Sequence, residues 1–123
     1  MSDDIWVLGA HMTKFGRYRD KDLIDLGAEA AMAALQDAGV TMGDMGVMGC
    51  GNLAQASGGV GQRIQKQVGQ TGVPVYNVAN ACATGATAFR TAYMALKAGE
   101  CDMGIAIGLG SACAVHILEK SAL

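Results

Sequence analysis

Aromatic side chains are scarce, at 5% of residues, and the chain has one proline and two histidines. A core without bulky rings must be filled by small and flexible side chains, which demands close neighbours. With 18 glycines, 8 methionines and a hydrophobic content of 51%, the composition fits tightly layered elements. Charge is sparse as well: charged residues make up 16% and the net charge is −2, which excludes a basic nucleic-acid surface and an acidic solvating arm. Partners are therefore small molecules or other protein surfaces. Met1-Ser2-Asp3-Asp4 lacks the basic opening and long apolar run of a secretory leader. The longest uncharged stretch, Met103 to Leu118, is interrupted by His116 and is short for a membrane span. These absences lead to the expectation of a soluble protein of the cytoplasm.

Metal and disulfide chemistry are not indicated. Cys50, Cys82, Cys101 and Cys113 show no C-x-x-C pairing, and neither His11 nor His116 lies at metal-ligand spacing from any of them. In a reducing compartment Cys50, Cys101 and Cys113 are core or strand-end residues, and the two histidines read as loop or surface residues. A length of 123 residues fits one domain, spanning 1–123, and leaves little room for a second.

Strand and helix patterns alternate along the chain. Ile5 to Ala10 reads as a buried strand, followed by a polar loop through Thr13, Lys14, Gly16 and Arg17. Asp20 or Asp22 can cap a first helix. Its stripe is Leu23, Gly27, Ala30, Ala31, Ala34, Leu35 and Ala38, with Asp25, Glu29, Gln36 and Asp37 facing away and Gly39 supplying the stop. Val47 to Leu53 is a second strand, about 62–70 a second helix closed by Gly72, Val73 to Ala79 a third strand, Ala83 to Ala98 a third helix, and Met103 to Gly108 a fourth strand. Such alternation predicts an α/β fold with a largely parallel sheet. The third helix carries only Arg90 and Lys97 as charges, and a helix apolar nearly all round is buried on nearly all sides. One sheet covers one side, so a second layer is expected from a missing carboxy-terminal half, a partner chain, or both.

Gly49-Cys50-Gly51-Asn52-Leu53-Ala54 matches G-x-G-x-x-A after a strand, but more glycine-rich loop follows it and no acidic residue stands at the distance a dinucleotide site needs. Close backbone packing is the better explanation. On the second helix, Gln62, Arg63, Gln65, Lys66, Gln67 and Gln70 form a polar cluster; it is either a solvated face or one where Arg63 or Lys66 meets a phosphate-bearing ligand or a partner subunit.

The chemistry centres on Cys82 in Asn80-Ala81-Cys82-Ala83-Thr84-Gly85, where a strand turns directly into the third helix. A sharp corner lifts a sulfur clear of the sheet, and the positive end of the following helix favours thiolate over thiol. Small neighbours (Ala81, Ala83 and Gly85) allow substrate and backbone to approach, as at a nucleophile elbow. Cys82 is the candidate nucleophile. Asn80, Ala83, Gly85 and Arg63 are the candidate substrate-binding residues.

From about Ile5 to Gly108 the chain resembles the amino-terminal half of the thiolase superfamily, and most closely its sterol-carrier-protein-type members. The resemblance rests on Asp25-Leu26-Gly27 through Ala38-Gly39, on Gly51-Asn52-Leu53-Ala54-Gln55-Ala56, on Gly61-Gln62-Arg63, and above all on Asn77 through Gly85 with the Ala-rich helix and Ala98-Gly99-Glu100-Cys101-Asp102 beyond it. Cys-Ala-Thr-Gly, in place of the Cys-Gly-Ser-Gly of biosynthetic and degradative thiolases, points to the sterol-carrier type. The resemblance implies that Cys82 attacks the keto carbon of a 3-ketoacyl-CoA, holds the acyl group as a thioester and passes it to CoA, or works in the opposite direction as a Claisen condensation through the same acyl-cysteine. It implies the Cys82 backbone N–H as one oxyanion donor, coenzyme A as co-substrate rather than a bound cofactor, and a homodimer.

Members of the family activate the nucleophile with a histidine and use a second cysteine, both in the carboxy-terminal half, and this chain has no counterpart for either. After the fourth strand a glycine-flanked Glu and Met is usual, whereas Leu109 to His116 intervenes here, so 109–123 reads as a divergent tail and the half-domain as truncated. Two expectations follow. One is a thiolase-type acyltransferase whose turnover needs groups from elsewhere; the other is a noncatalytic half-domain that oligomerises or binds a lipid or protein partner.

Overall fold

The computed structural model describes residues 4–110 and 112–121. Met1, Ser2 and Asp3, on which the leader expectation partly rests, lie outside the described residues, as do Ser111, Ala122 and Leu123 of the expected tail. Five strands and three helices follow in the order β1 (Ile5–Met12), α1 (Leu23–Ala38), β2 (Val47–Asn52), α2 (Val60–Val68), β3 (Val75–Val78), α3 (Thr84–Lys97), β4 (Met103–Leu109) and β5 (Cys113–Lys120). The α/β class is the one the alternation predicts.

Local chemistry sets the helix ends. Asp22 caps α1, its Oδ1 accepting from the Asp25 N–H at 2.8 Å while the Asp22 N–H donates to Asp25 Oδ2 at 3.1 Å. This reciprocal pair satisfies two otherwise orphaned amides. Asp25 therefore folds back onto the helix end rather than simply facing away. Gly39 closes the helix in the left-handed region, at φ 72°. Helix α2 starts two residues earlier than the sequence pattern suggests and ends at Gly69, not Gly72.

The sheet order is β1-β5-β4-β2-β3. Strand β2 runs parallel to β3 and β4, whereas β5 is antiparallel to both β4 and β1. Four strands therefore point one way and β5 alone is inverted. The sequence pattern gave no element to this segment, because apolar residues on both faces of Cys113–Lys120 blur the period-2 signal. His116 consequently stands in a strand, half-buried, with its ring edge-on to Phe89 at 5.3 Å, and not in a loop. His11 is exposed on β1.

Helices α1 and α2 cover one face of the sheet, burying Met48, Cys50, Ile105, Ile107, Val115 and Ile117 against Ala31, Ala34 and Ile64. Helix α3 covers the other, where Val47, Ala106 and Leu118 meet Ala92, Ala95 and Leu96. Glycines bring α3 close: a Cβ at Gly49 would lie 2.4 Å from the Ala88 carbonyl oxygen, and one at Gly51 would lie 2.7 Å from Thr84 Cγ2. That is the packing role expected of the G-x-G pattern. Burial of α3 is one-sided, however. Thr84, Ala88, Ala92, Ala95 and Leu96 are buried, while Gly85, Ala86, Arg90, Met94 and Lys97 are exposed. On the same face of the sheet, Val7 opposite Leu118 is 52% exposed and Met12 opposite Ala114 is 58% exposed. Helix α3 lies over β2 and β4 and leaves β1 open.

Candidate functional site

Strand β3 ends at Val78, α3 begins at Thr84, and Asn80 through Ala83 make the corner between them. Ala81 sits at φ 47°, the one non-glycine residue with a positive φ among the described residues. A left-handed alanine costs roughly 1–2 kcal/mol and persists only where its surroundings hold it. Thr84 does the holding. Its hydroxyl donates to the Ala81 carbonyl at 2.7 Å and accepts from the Asn80 N–H at 2.8 Å. The Ala83 N–H donates to the Asn80 carbonyl at 2.9 Å. The Asn80 side-chain amide donates to Thr87 Oγ1 at 3.0 Å, and that hydroxyl donates in turn to the Ala83 carbonyl at 3.0 Å. Both the backbone and the side chain of Asn80 are thus committed to the corner.

Of the four free cysteines, Cys82 is the exposed one. Burial pushes the thiols of Cys50 and Cys113 up to about 12. Cys101 is raised too, first by burial and then by the Glu100 and Asp102 carboxylates. Cys82 opens into a groove of about 420 Å³ whose lining includes Met12, Phe15, Leu53, Gly85, Gly108 and Ala114. Gly108 forms part of the floor, where a Cβ would lie 3.1 Å from the Gly85 Cα. A smaller cavity of about 240 Å³, holding Phe89 and His116, shares Gly85, Gly108 and Ala114 with it. A larger groove, about 570 Å³ beside Met32, Gln36 and Val68, contains no cysteine, so chemistry rather than size selects the Cys82 groove.

Of the expected site residues, Cys82 and Gly85 line one groove, Asn80 and Ala83 build the turn beneath it, and Arg63 is exposed on α2 and absent from the lining. Sequence reasoning missed Thr84 as the clamp, although a threonine four residues after an asparagine at a turn is a signal for it. It also missed Met12, Phe15 and Leu53, which reach the groove from β1, from the loop after it and from the loop after β2. Phe15, a large ring alone in a polar loop, was the legible hint. Among the described residues lining the groove, none carries a histidine, carboxylate or amine that could act as a base toward Cys82. No group of three or more metal-ligating side chains occurs among the described residues, and no helix among them is long and apolar enough to cross a membrane.

Three comparisons bear on this arrangement. The family model for the thiolase amino-terminal domain matches residues 5–122. Acetyl-CoA acetyltransferase of Methanothermobacter thermautotrophicus is 34% identical over 110 residues, which is 86% of this chain and 29% of that protein. Sterol carrier protein 2 of Gallus gallus is 35% identical over 111 residues, covering 88% of this chain and 20% of that protein. The chain therefore spans less than a third of these relatives. Among solved structures, a variant of Xanthomonas campestris OleA superposes with a TM-score of 0.83 at 12% identity, over 95% of this chain and 56% of that one. The 3-oxoacyl-[acyl-carrier-protein] synthase III of Aquifex aeolicus gives 0.81 at 13% identity, over 98% of this chain and 55% of that one. At such identities these neighbours share the fold, while the family model and the sequence relatives carry the kinship: the chain belongs to the thiolase family, as a member of its amino-terminal domain.

Proposed function

We propose that this chain is the acyl-accepting half of a thiolase-type acyl-CoA acyltransferase, with Cys82 as the nucleophile. In the acylation step the Cys82 Sγ bonds to the carbonyl carbon of an acyl-CoA, the bond from that carbon to the CoA sulfur breaks, and CoA leaves as a thiol carrying the proton that Cys82 gives up. With a 3-ketoacyl-CoA the attacked carbon is the keto carbon, the bond to C2 breaks, and acetyl-CoA leaves with that proton. The Cys82 N–H is the first oxyanion donor. Asn80 and Ala83 hold the turn that presents the sulfur, Gly85 leaves room for the acyl group, and Arg63, away from the groove, meets a partner subunit or a phosphate-bearing ligand. The base that activates the thiol comes from a carboxy-terminal half or a second chain, since the described groove lining supplies none. A homodimer in the cytoplasm belongs to this reading, and four free thiols suit a reducing compartment.

The observation that carries the reading is an exposed sulfur at a left-handed corner, directly before a helix and beside small residues. Intact-mass measurement after incubation with an acyl-CoA tests it: one acyl adduct is expected, with one equivalent of CoA released, and Cys82→Ser abolishes both. Absence of an adduct, alone or with a supplied carboxy-terminal half, overturns it.

A second reading, a noncatalytic half-domain that oligomerises or binds a lipid or protein partner, is favoured by the open sheet face at Val7 and Met12 on β1. Sedimentation tests this second reading, because a well-behaved monomer with little dye binding argues against any need for a further layer, while the Cys82 adduct separates it from the first.

A further inference from the structure

The loop between β1 and α1 concentrates positive charge on either side of Phe15, a residue that lines the Cys82 groove. Of the 9 Lys and Arg residues in the chain, Lys14, Arg17, Arg19 and Lys21 fall within 14–21, a segment whose one acidic residue is Asp20. Lys21 is engaged, with its Nζ 2.6 Å from Glu29 Oε2 and lying over the Tyr18 ring. Lys14, Arg17 and Arg19 are exposed and make no ion pair among the described residues. The loop is nonetheless built rather than loose. At its start the Thr13 N–H donates to the Cys113 carbonyl at 2.9 Å, and the Cys113 N–H donates to Thr13 Oγ1 at 2.8 Å. The Tyr18 hydroxyl donates to the Lys14 carbonyl and folds the loop back on itself.

The same loop lends an apolar contact to the groove. Phe15, 73% exposed, lines it together with Met12 and Cys82, one residue after Lys14 and two before Arg17. An aromatic ring facing the groove, followed directly by unpaired guanidinium groups, suits a ligand that is apolar at one end and phosphorylated at the other. Guanidinium forks match phosphate oxygens in pairs, which makes arginine the stronger choice for such an anion.

We propose that Arg17 and Arg19, with Lys14 beside them, bind the diphosphate and ribose phosphate of coenzyme A while its sulfur end lies at Cys82. This rests on the reading of Cys82 as the acyl acceptor. Distances allow it. A pantetheine arm is about as long as an extended peptide of five residues, roughly 17 Å, and Arg17 and Arg19 stand at most roughly 7 and 14 Å of backbone beyond Phe15.

The test measures the affinity of the full chain for CoA and for pantetheine, which lacks the phosphates, by calorimetry. Arg17→Ala/Arg19→Ala is compared with Arg90→Glu, an exposed site on α3 whose substitution changes the net charge by the same amount. The expected result is a loss of CoA affinity of tenfold or more in the double variant, with pantetheine affinity unchanged and Arg90→Glu like the parent. Undiminished CoA affinity in the double variant overturns the inference, as does a parent protein that holds CoA no more tightly than pantetheine. Acylation of Cys82 by an acyl-pantetheine thioester, followed in parallel, needs no phosphate contact. Its failure counts against the nucleophile alone, and the CoA affinities still decide the role of the loop.

Discussion

Replacing Thr84 with valine removes the clamp on the Cys82 corner while keeping the shape of the side chain. Thr84 is 7% exposed, and its hydroxyl serves the Ala81 carbonyl and the Asn80 N–H at 2.7 and 2.8 Å. The carbonyl keeps a weaker bond from the Thr84 N–H at 3.3 Å, whereas the Asn80 amide loses its partner. One lost bond costs about 1 kcal/mol, and a part-buried N–H left unsatisfied adds roughly 1–2 kcal/mol. Release of the left-handed Ala81 returns some of that, so a net loss of about 2 kcal/mol is expected. For a domain of this size each kcal/mol moves the midpoint by roughly 3–6 °C, so calorimetry should record a fall of roughly 6–12 °C. Thr84→Ser keeps the hydroxyl and should stay within about 1 kcal/mol of the parent. The labelling rate of Cys82 by a small thiol reagent should change in the valine variant and not in the serine one. A valine variant that melts within about 1 °C of the parent and labels at the parent rate would refute the reasoning, because the hydroxyl would then hold nothing.

Gly49→Ala should cost about 1–3 kcal/mol in urea unfolding, since its Cβ would stand 2.4 Å from a backbone oxygen of α3, whereas Gly16→Ala, with nothing within 4 Å, should stay within about 0.5 kcal/mol. The thiols of Cys50 and Cys113 are pushed up to about 12, so the folded state holds their protons where the unfolded chain has lost them. The stability these thiols lend is therefore whole below about pH 9 and is lost from there towards 12, at up to about 1.4 kcal/mol per pH unit for each thiol. Cys50→Ala should flatten that alkaline slope in chemical denaturation, and an unchanged slope would show that the thiol does not titrate as argued.

Much of the fold was readable because its signals are local. The capping aspartate, the Ala and Leu stripe of α1 and Gly39 act within single turns, and they placed that helix within a residue or two. Strands β2, β3 and β4 announced themselves by apolar runs between glycines. Strand β5 did not, because its inverted direction depends on pairing with β4 and β1, which no neighbouring residue encodes. The site divides in the same way. Cys82 was legible from the corner motif, while Phe15 and Met12 reach it through a fold that brings the first loop beside the third helix. Arg63 stood out because its helix is rich in polar residues, and helix position alone could not say that α2 lies on the sheet face opposite to α3, away from the Cys82 groove.

Strand β1 finds its lateral partner only in β5, with Ile5 set against Lys120. A ribosome adding roughly 5–20 residues per second would need about 5–20 s to make the intervening chain. Throughout that interval the amino-terminal segment, with Trp6 and Val7, has no edge to join, and α1 has no finished ceiling to pack beneath. Such late closure makes for slow folding and prolonged exposure of sticky backbone. Until β5 has left the ribosome, a holding chaperone would be what keeps that unpaired strand from sticking to its neighbours.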